Sequence, residues 1–344
     1  MVRYNSLSNA YSSYLRYNTG MIFRMQPMSE ILQLLQKDLE DKEKTTFEIL
    51  DPDLFRGEYA GTVVEVEEYK YLYRSLHAWM ELAEILGCRM LVPRESTHPL
   101  LKISFEKIAA DSFHTHDVTG KEKYGSNSLF SRIHKMEEPS FYFYYKEALK
   151  HAKLPQRKRI LNLGINRGDE FEVVKDQLDG KQYEEMELLG IDHSESAIER
   201  AKALFPEPNV SFHACDINDL ASLQLGRFDL LISIGTLQSP SINFKPMLMH
   251  LVQEYLQKDD AAVILGFPNS RWKGGEVLYG AKAAHYNFSE MGVVLEDILF
   301  AKKYLQQKKY RVMITGKHYL FLTAVRIGQE KNRELLTPVK ENSL

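Results

Sequence analysis

The chain has 344 residues, is 44% hydrophobic and 26% charged, and carries a formal net charge of −3. That apolar content and small charge exclude a disordered chain. Two cysteines, Cys88 and Cys215, exclude a disulfide framework or a cysteine-rich zinc site. No run of about 18 apolar residues offers a membrane span, and the first 20 residues lack the apolar core of a secretory signal. The expectation is therefore a soluble cytoplasmic protein, of about two domains by length. Its slight acidity weighs against a function dominated by nucleic acid.

In chain order, residues 1–25 read as a loose tail of tyrosines among Ser, Asn and Arg. From Pro27 a helix is predicted, because Ile31, Leu34, Leu35 and Leu39 form one stripe. It ends in the charged run KDLEDKEK, a solvated helix end. A second helix is predicted over 66–86 on the spacing of Leu72, Leu76, Trp79, Ala83 and Leu86, stopped by Gly87 in a left-handed cap. RMLV (89–92) and KISF (102–105) read as strands, so 26–110 is a small α+β region. Residues 111–137 are polar with scattered aromatics, and their length suggests a lid or binding segment. His114, His116 and Asp117 within it are read as ordinary loop polar residues and not as a metal site. A helix over 139–151 starts on a proline, which the first turn tolerates. Residues 111–153 thus read as a lid-like loop with a connecting helix.

From 154 to 330 strands and helices alternate, with a tail at 331–344. Strands are predicted at RILNL (159–163), LLGID (188–192), NVSFHA (209–214), FDLLISI (228–234) and AAVILGF (261–267). Helices are predicted at 169–178, 195–204, 243–257 and 288–308. Alternation of this kind implies a parallel sheet covered on both faces. YRVMIT and YLFLTAV, separated by GKH, carry a hairpin signal that adds an antiparallel edge.

Ligands of such sheets bind beyond the carboxyl ends of the strands, near the switch point. The first strand ends in LNLGINRGDE, where Gly164 and Gly168 bracket a tight turn. The second ends in Asp192, at the distance where an acid meets a ribose. The third runs into Cys215-Asp216-Ile217, with Cys215 read as a small core residue. The fourth ends in SIGTLQ, whose small residues leave room above the sheet.

Together, in this order, these features resemble the class I S-adenosylmethionine (SAM)-dependent methyltransferases. The resemblance covers about 159–327 and implies a Rossmann-like, doubly wound, mostly parallel sheet with a C-terminal antiparallel hairpin. It implies SAM as cofactor. Gly164 and Gly168 would face the methionine part, and Asp192 would bind the ribose hydroxyls. His193 and Ile217 would flank the adenine, Asp216 would meet its amino group, and Ser233, Gly235 and Thr236 would line the floor near the methyl. Two positions depart from the family pattern. Asn162 stands where an acid is usual, which removes a charge from the cationic methionine end. Asn166 stands where a glycine is usual, and Asn tolerates positive φ.

No base is identified. Acceptor-side candidates are Asn269, Arg271, Trp272, Glu276, Tyr279, His285 and Tyr286 after the fifth strand, and Tyr124 and Arg132 in the 111–137 loop. Arg271 could clamp an anion or pair with Glu276. The expected activity is methyl transfer to a small-molecule acceptor, with no membrane partner. A tRNA or rRNA methyltransferase is the alternative, with residues 1–150 as the RNA-recruiting part; a basic surface joining Lys302, Lys303, Lys308, Lys309 and Arg311 to the cofactor pocket would favour it. A SAM-binding or structural partner protein without catalysis is the third reading.

Overall fold

The computed structural model describes residues 20–109, 132–281 and 290–328. They fall into two compact units, divided between Ala110 and Asp111.

The first unit contains β1 (Met21–Phe23), α1 (Met28–Glu40), β2 (Lys44–Leu50), β3 (Val63–Val66), β4 (Tyr69–Leu72), α2 (Leu76–Ile85), β5 (Cys88–Met90), β6 (Arg94–Glu95) and β7 (Leu100–Lys107). Its main sheet runs β1-β2-β7-β5, with β6 also on β7. Alternation in β2 and β7 sends Phe47, Ile49, Ile103 and Phe105 to one face. There they meet Ile31, Leu35 and Leu39 of α1 and Trp79, Leu82 and Ala83 of α2. The opposite face is polar, and Thr46 and Ser104 share a hydrogen bond of 2.8 Å across it.

The helix expected over 66–86 is shorter than predicted. Residues 63–72 form the hairpin of β3 and β4 around Glu67, which takes a φ of 57°. The helix starts only after Ser75, whose hydroxyl accepts from the Ala78 N–H. The spacing of Leu72 with Leu76 was coincidental, since Leu72 alternates in a strand with the buried Tyr71. Gly87 does take the left-handed φ, at 68°. β2, following the charged run, was not anticipated.

The second unit contains α3 (Pro139–His151), β8 (Arg159–Leu163), α4 (Asp169–Asp176), α5 (Gly180–Glu184), β9 (Glu187–Asp192), α6 (Glu195–Leu204), β10 (Val210–Ala214), β11 (Leu230–Ile234), α7 (Phe244–His250), β12 (Ala262–Pro268), β13 (Ser270–Lys273), β14 (Glu276–Tyr279), α8 (Gly292–Gln307), β15 (Tyr310–Gly316) and β16 (Tyr319–Arg326). The sheet order is β10-β9-β8-β11-β12-β16-β15. The first five strands are parallel, and β16 and β15 close it antiparallel. The fold is therefore the Rossmann-like α/β sheet with an antiparallel hairpin that the resemblance implied.

Both faces are covered. Phe141, Tyr145, Phe171, Ile198 and Ala201 from α3, α4 and α6 pack on one. Phe244, Leu248, Ile298, Ala301 and Leu305 from α7 and α8 pack on the other. Arg157, buried, fastens the end of α3 to the loop before β12 by donating to the carbonyls of Ala152 and Asp260. The helix expected over 243–257 is α7 followed by a wider π turn, Leu251–Tyr255. The expected long loop after β12 folds back as a hairpin of β13 and β14, turned at Gly274 and Gly275 with φ of 53° and 83°. Among the described residues, no helix is long and apolar enough to cross a membrane.

Candidate active site

From β8 the chain proceeds through β9 to β10 in one direction, then returns to β11 and β12 on the other side of β8. The switch point thus lies between the carboxyl ends of β8 and β11, where such sheets place ligands. Leaving β8, the chain makes a turn in which Gly164, Asn166 and Gly168 all take positive φ, at 79°, 49° and 101°. Asn166 fills the second position without glycine, as asparagine can.

This turn is tied to β9. The Asn166 N–H donates to Asp192 Oδ2 at 2.9 Å, and the Ser194 N–H donates to Asp192 Oδ1 at 3.0 Å. His193 Nδ1 stands 3.4 Å from the same carboxylate. Asp192 is only 5% exposed, and Ser194 caps α6 through the Ala197 N–H. An ionised carboxylate offers about four acceptor positions, so each Asp192 oxygen keeps capacity for a further donor. A pair of ribose hydroxyls fits that capacity.

The glycines of the turn are also packing positions. A Cβ on Gly164 would stand 1.9 Å from Thr236 Oγ1, and one on Gly168 would stand 2.5 Å from the Phe205 ring. Thr236 therefore lies directly against the turn, across the switch point. Gly235, at φ 73°, is bounded by Pro268 and Tyr319. Ser233 is buried within the sheet, its hydroxyl donating to the Leu163 carbonyl at 3.3 Å. Asp216 is exposed and accepts from the backbone and side chain of Asn218 at 2.9 and 3.0 Å. Ile217 is largely taken into the core, and the half-buried Cys215 donates its thiol to the Asp216 carbonyl.

Asn162 is 1% exposed, and its amide nitrogen has no hydrogen-bond partner. It lies in register with Gly190 and Ile232. It shares a face with Ile160, the face covered by α3 and α4.

Three further residues gather here that sequence patterns did not single out. Glu170, in the first turn of α4, is 4% exposed. Burial pushes its carboxyl up to about 7; Lys135 opposes the rise, and Asp169 and Asp192 add to it. Lys135 is half-buried. Burial works against its charge, but Tyr319, Glu170, Asp169 and Asp192 outweigh that and raise its pKa. Tyr319 at the start of β16 brings its ring 5.8 Å from the Lys135 ammonium. Neighbouring Asp169 is held by Arg167 at 2.6 Å. An acid in a helix's first turn is an ordinary dipole partner, so its burial was the missing signal.

On the acceptor side, Arg271 does not present a free clamp. Its guanidinium donates to the carbonyls of Tyr279 and Gly280, at 2.7 and 3.2 Å, inside its own hairpin. The buried Asn269 donates to the Lys317 carbonyl at 3.0 Å. Exposed Tyr279 donates to the Met291 sulfur, and Trp272 is half-buried. Burial and the nearby charge of Glu276 raise the pKa of Glu138, at the start of α3. Arg132 is exposed. Tyr124, His114, His116, Asp117, His285 and Tyr286 lie outside the described residues.

The model of a methyltransferase domain family matches residues 155–314. This chain carries a class I SAM-dependent methyltransferase domain. Solved structures of similar fold are distant. The plantazolicin methyltransferase BpumL is 16% identical over 57% of this chain and 89% of its own, at a TM-score of 0.38. The magnesium protoporphyrin IX methyltransferase of Synechocystis PCC 6803 is 16% identical over 62% and 100%, at 0.38. A SAM-dependent methyltransferase from Aquifex aeolicus is 15% identical over 57% and 98%, at 0.39. No curated protein matches the sequence. The region before the matched domain is unassigned.

Proposed function

We propose that this methyltransferase binds SAM across the carboxyl edge of β8, β9 and β11 and methylates a small-molecule acceptor. The observation that carries this reading is Asp192. It is a buried carboxylate held at the end of β9 by two backbone N–H groups, with one coming from the glycine turn itself. A fixed acceptor of this kind suits a vicinal diol. In this reading His193 and Asp216 take the adenine, and Gly235 and Thr236 form the floor. When bound, SAM supplies an electrophilic methyl carbon and its own leaving group. The residues of the chain then orient and desolvate, holding the acceptor within about 3–3.5 Å of that carbon.

The basic stretch does not favour an RNA acceptor. Lys309 and Arg311 lie at the amino edge of the sheet, beside Ile327 and Val325, opposite the edge that carries the glycine turn. A solvated helix end accounts for them, with Lys308 folded over the Tyr304 ring.

Calorimetric titration with SAM and S-adenosylhomocysteine tests the proposal. Wild type binds both, and Asp192→Ala weakens them by about 100-fold, the loss of two charge-assisted hydrogen bonds at about 1.5 kcal/mol each. Folded wild type that binds neither ligand would refute it.

A further inference from the structure

The amino-acid end of such a cofactor is a zwitterion, and holding it in a water-poor cleft requires both signs of charge. The family resemblance places an acid at position 162 for the ammonium. Here that position is Asn162, buried, uncharged, and with its amide nitrogen lacking a partner.

The acid reappears a few residues later. Glu170 follows Gly168 by two residues and is buried on the face that Asn162 shares, where Tyr145 donates to the Glu170 backbone carbonyl at 3.2 Å. Of the acids grouped at this turn, Asp169 is engaged by Arg167 at 2.6 Å, and Asp192 holds two backbone N–H groups. Glu170 is the carboxyl that neither engagement consumes. The opposite charge is Lys135. Its ammonium lies 5.8 Å from the Tyr319 ring and 6.0 Å from the Phe141 ring. Tyr319 in turn borders Gly235, with its ring carbon 3.9 Å from where a Cβ there would stand. The neighbouring His134 stands 3.9 Å from both Asp169 and Glu172, which sets the Lys135 segment beside the first turn of α4.

We propose that Lys135 and Glu170 form the charge pair that reads the amino-acid end of the cofactor, the lysine taking its carboxylate and the acid its ammonium. The inference rests on the cofactor reading above and adds a specificity to it. Burying a lysine and an acid near each other costs desolvation energy that their mutual attraction does not reliably return. A ligand bearing both charges completes the arrangement, one charge against each residue.

The test compares S-adenosylhomocysteine with 5′-methylthioadenosine, which keeps the adenosine and the sulfur but lacks both charges. Calorimetry on the full chain is expected to show S-adenosylhomocysteine bound at least about tenfold more tightly by wild type. Lys135→Met and Glu170→Gln each weaken S-adenosylhomocysteine by about tenfold or more and leave 5′-methylthioadenosine within about twofold. Equal affinity of wild type for the two ligands overturns the inference without any variant, and so stands even if a variant fails to fold. Variants that lose both ligands in parallel, or neither, also overturn it. Wild type that binds neither ligand removes the cofactor reading and this inference with it.

Discussion

Glu170→Gln gives a measurable consequence for stability that needs no ligand. Burial, with Asp169 and Asp192 nearby, lifts the Glu170 carboxyl from its ordinary 4.5 to about 7 against the opposing pull of Lys135. The folded chain therefore holds this proton more tightly than the unfolded chain does. The stability it contributes is full below pH 4.5 and is lost as pH rises through 7. At about 1.4 kcal/mol per pH unit, the whole rise is worth about 3 kcal/mol, and the part lost between pH 5 and pH 8 is about 2–3 kcal/mol. Glutamine keeps the shape and carries no titrating proton. Urea unfolding of wild type and Glu170→Gln at both pH values isolates the term, because other carboxylates cancel in the difference between the variants. The chain has two tryptophans, Trp79 in the first unit and Trp272 in the second. A Trp79→Phe background in both proteins lets Trp272 fluorescence report on the second unit alone. Wild type should lose about 2–3 kcal/mol more than the variant from pH 5 to pH 8. A difference below about 0.5 kcal/mol, or one of opposite sign, would show that Glu170 is solvated in the folded chain.

Gly164→Ala should destabilise the second unit by about 2–4 kcal/mol, combining the φ of 79° with a Cβ 1.9 Å from Thr236 Oγ1. Adding Thr236→Ala should recover the overlap but not the backbone strain, so denaturant unfolding that shows no recovery would count against the contact. Trp79→Ala should cost the first unit about 3–5 kcal/mol, since the indole is buried against Phe23 and Phe47 at centroid distances of 6.2 and 5.6 Å. Circular dichroism during urea unfolding reads this, and a loss under about 1 kcal/mol would mean that the aromatic cluster is loosely packed.

The second unit was legible in the sequence because its strands are buried on both faces. Runs such as ILNL and AVILGF can hardly be anything but sheet centre. The turn after β8 was also legible, because the residues that tolerate positive φ sit at the positions that need it. The first unit was harder. Leu72 and Leu76 fall at helical spacing, yet the aromatic alternation of YKYLY won and made a hairpin. The strand Lys44–Leu50 was hidden by the charged run before it, and the hairpin of β13 and β14 by the length of its segment, although the Gly274-Gly275 pair was a turn signal.

The charge pair could not be read from the sequence, for a different reason. Burial of a lysine and an acid is a property of tertiary contact, and neither residue departs from an ordinary surface pattern. The matched domain spans 155–314, so Lys135 precedes it and Tyr319 follows it. Glu170 alone lies inside. A pattern confined to that span leaves out the two flanking residues, whose ammonium and ring face each other at 5.8 Å in this chain. The substitution of Asn162 then ceases to be an isolated loss. A charge removed from the end of β8 is matched by a buried acid in the first turn of α4, and a lysine from the preceding segment sets the opposite sign beside it. If the charge moved in this way, restoring it at the original position should be costly. Asn162→Asp would bury a second carboxylate on the face that already holds Glu170, and like charges on one buried face disfavour each other's ionisation.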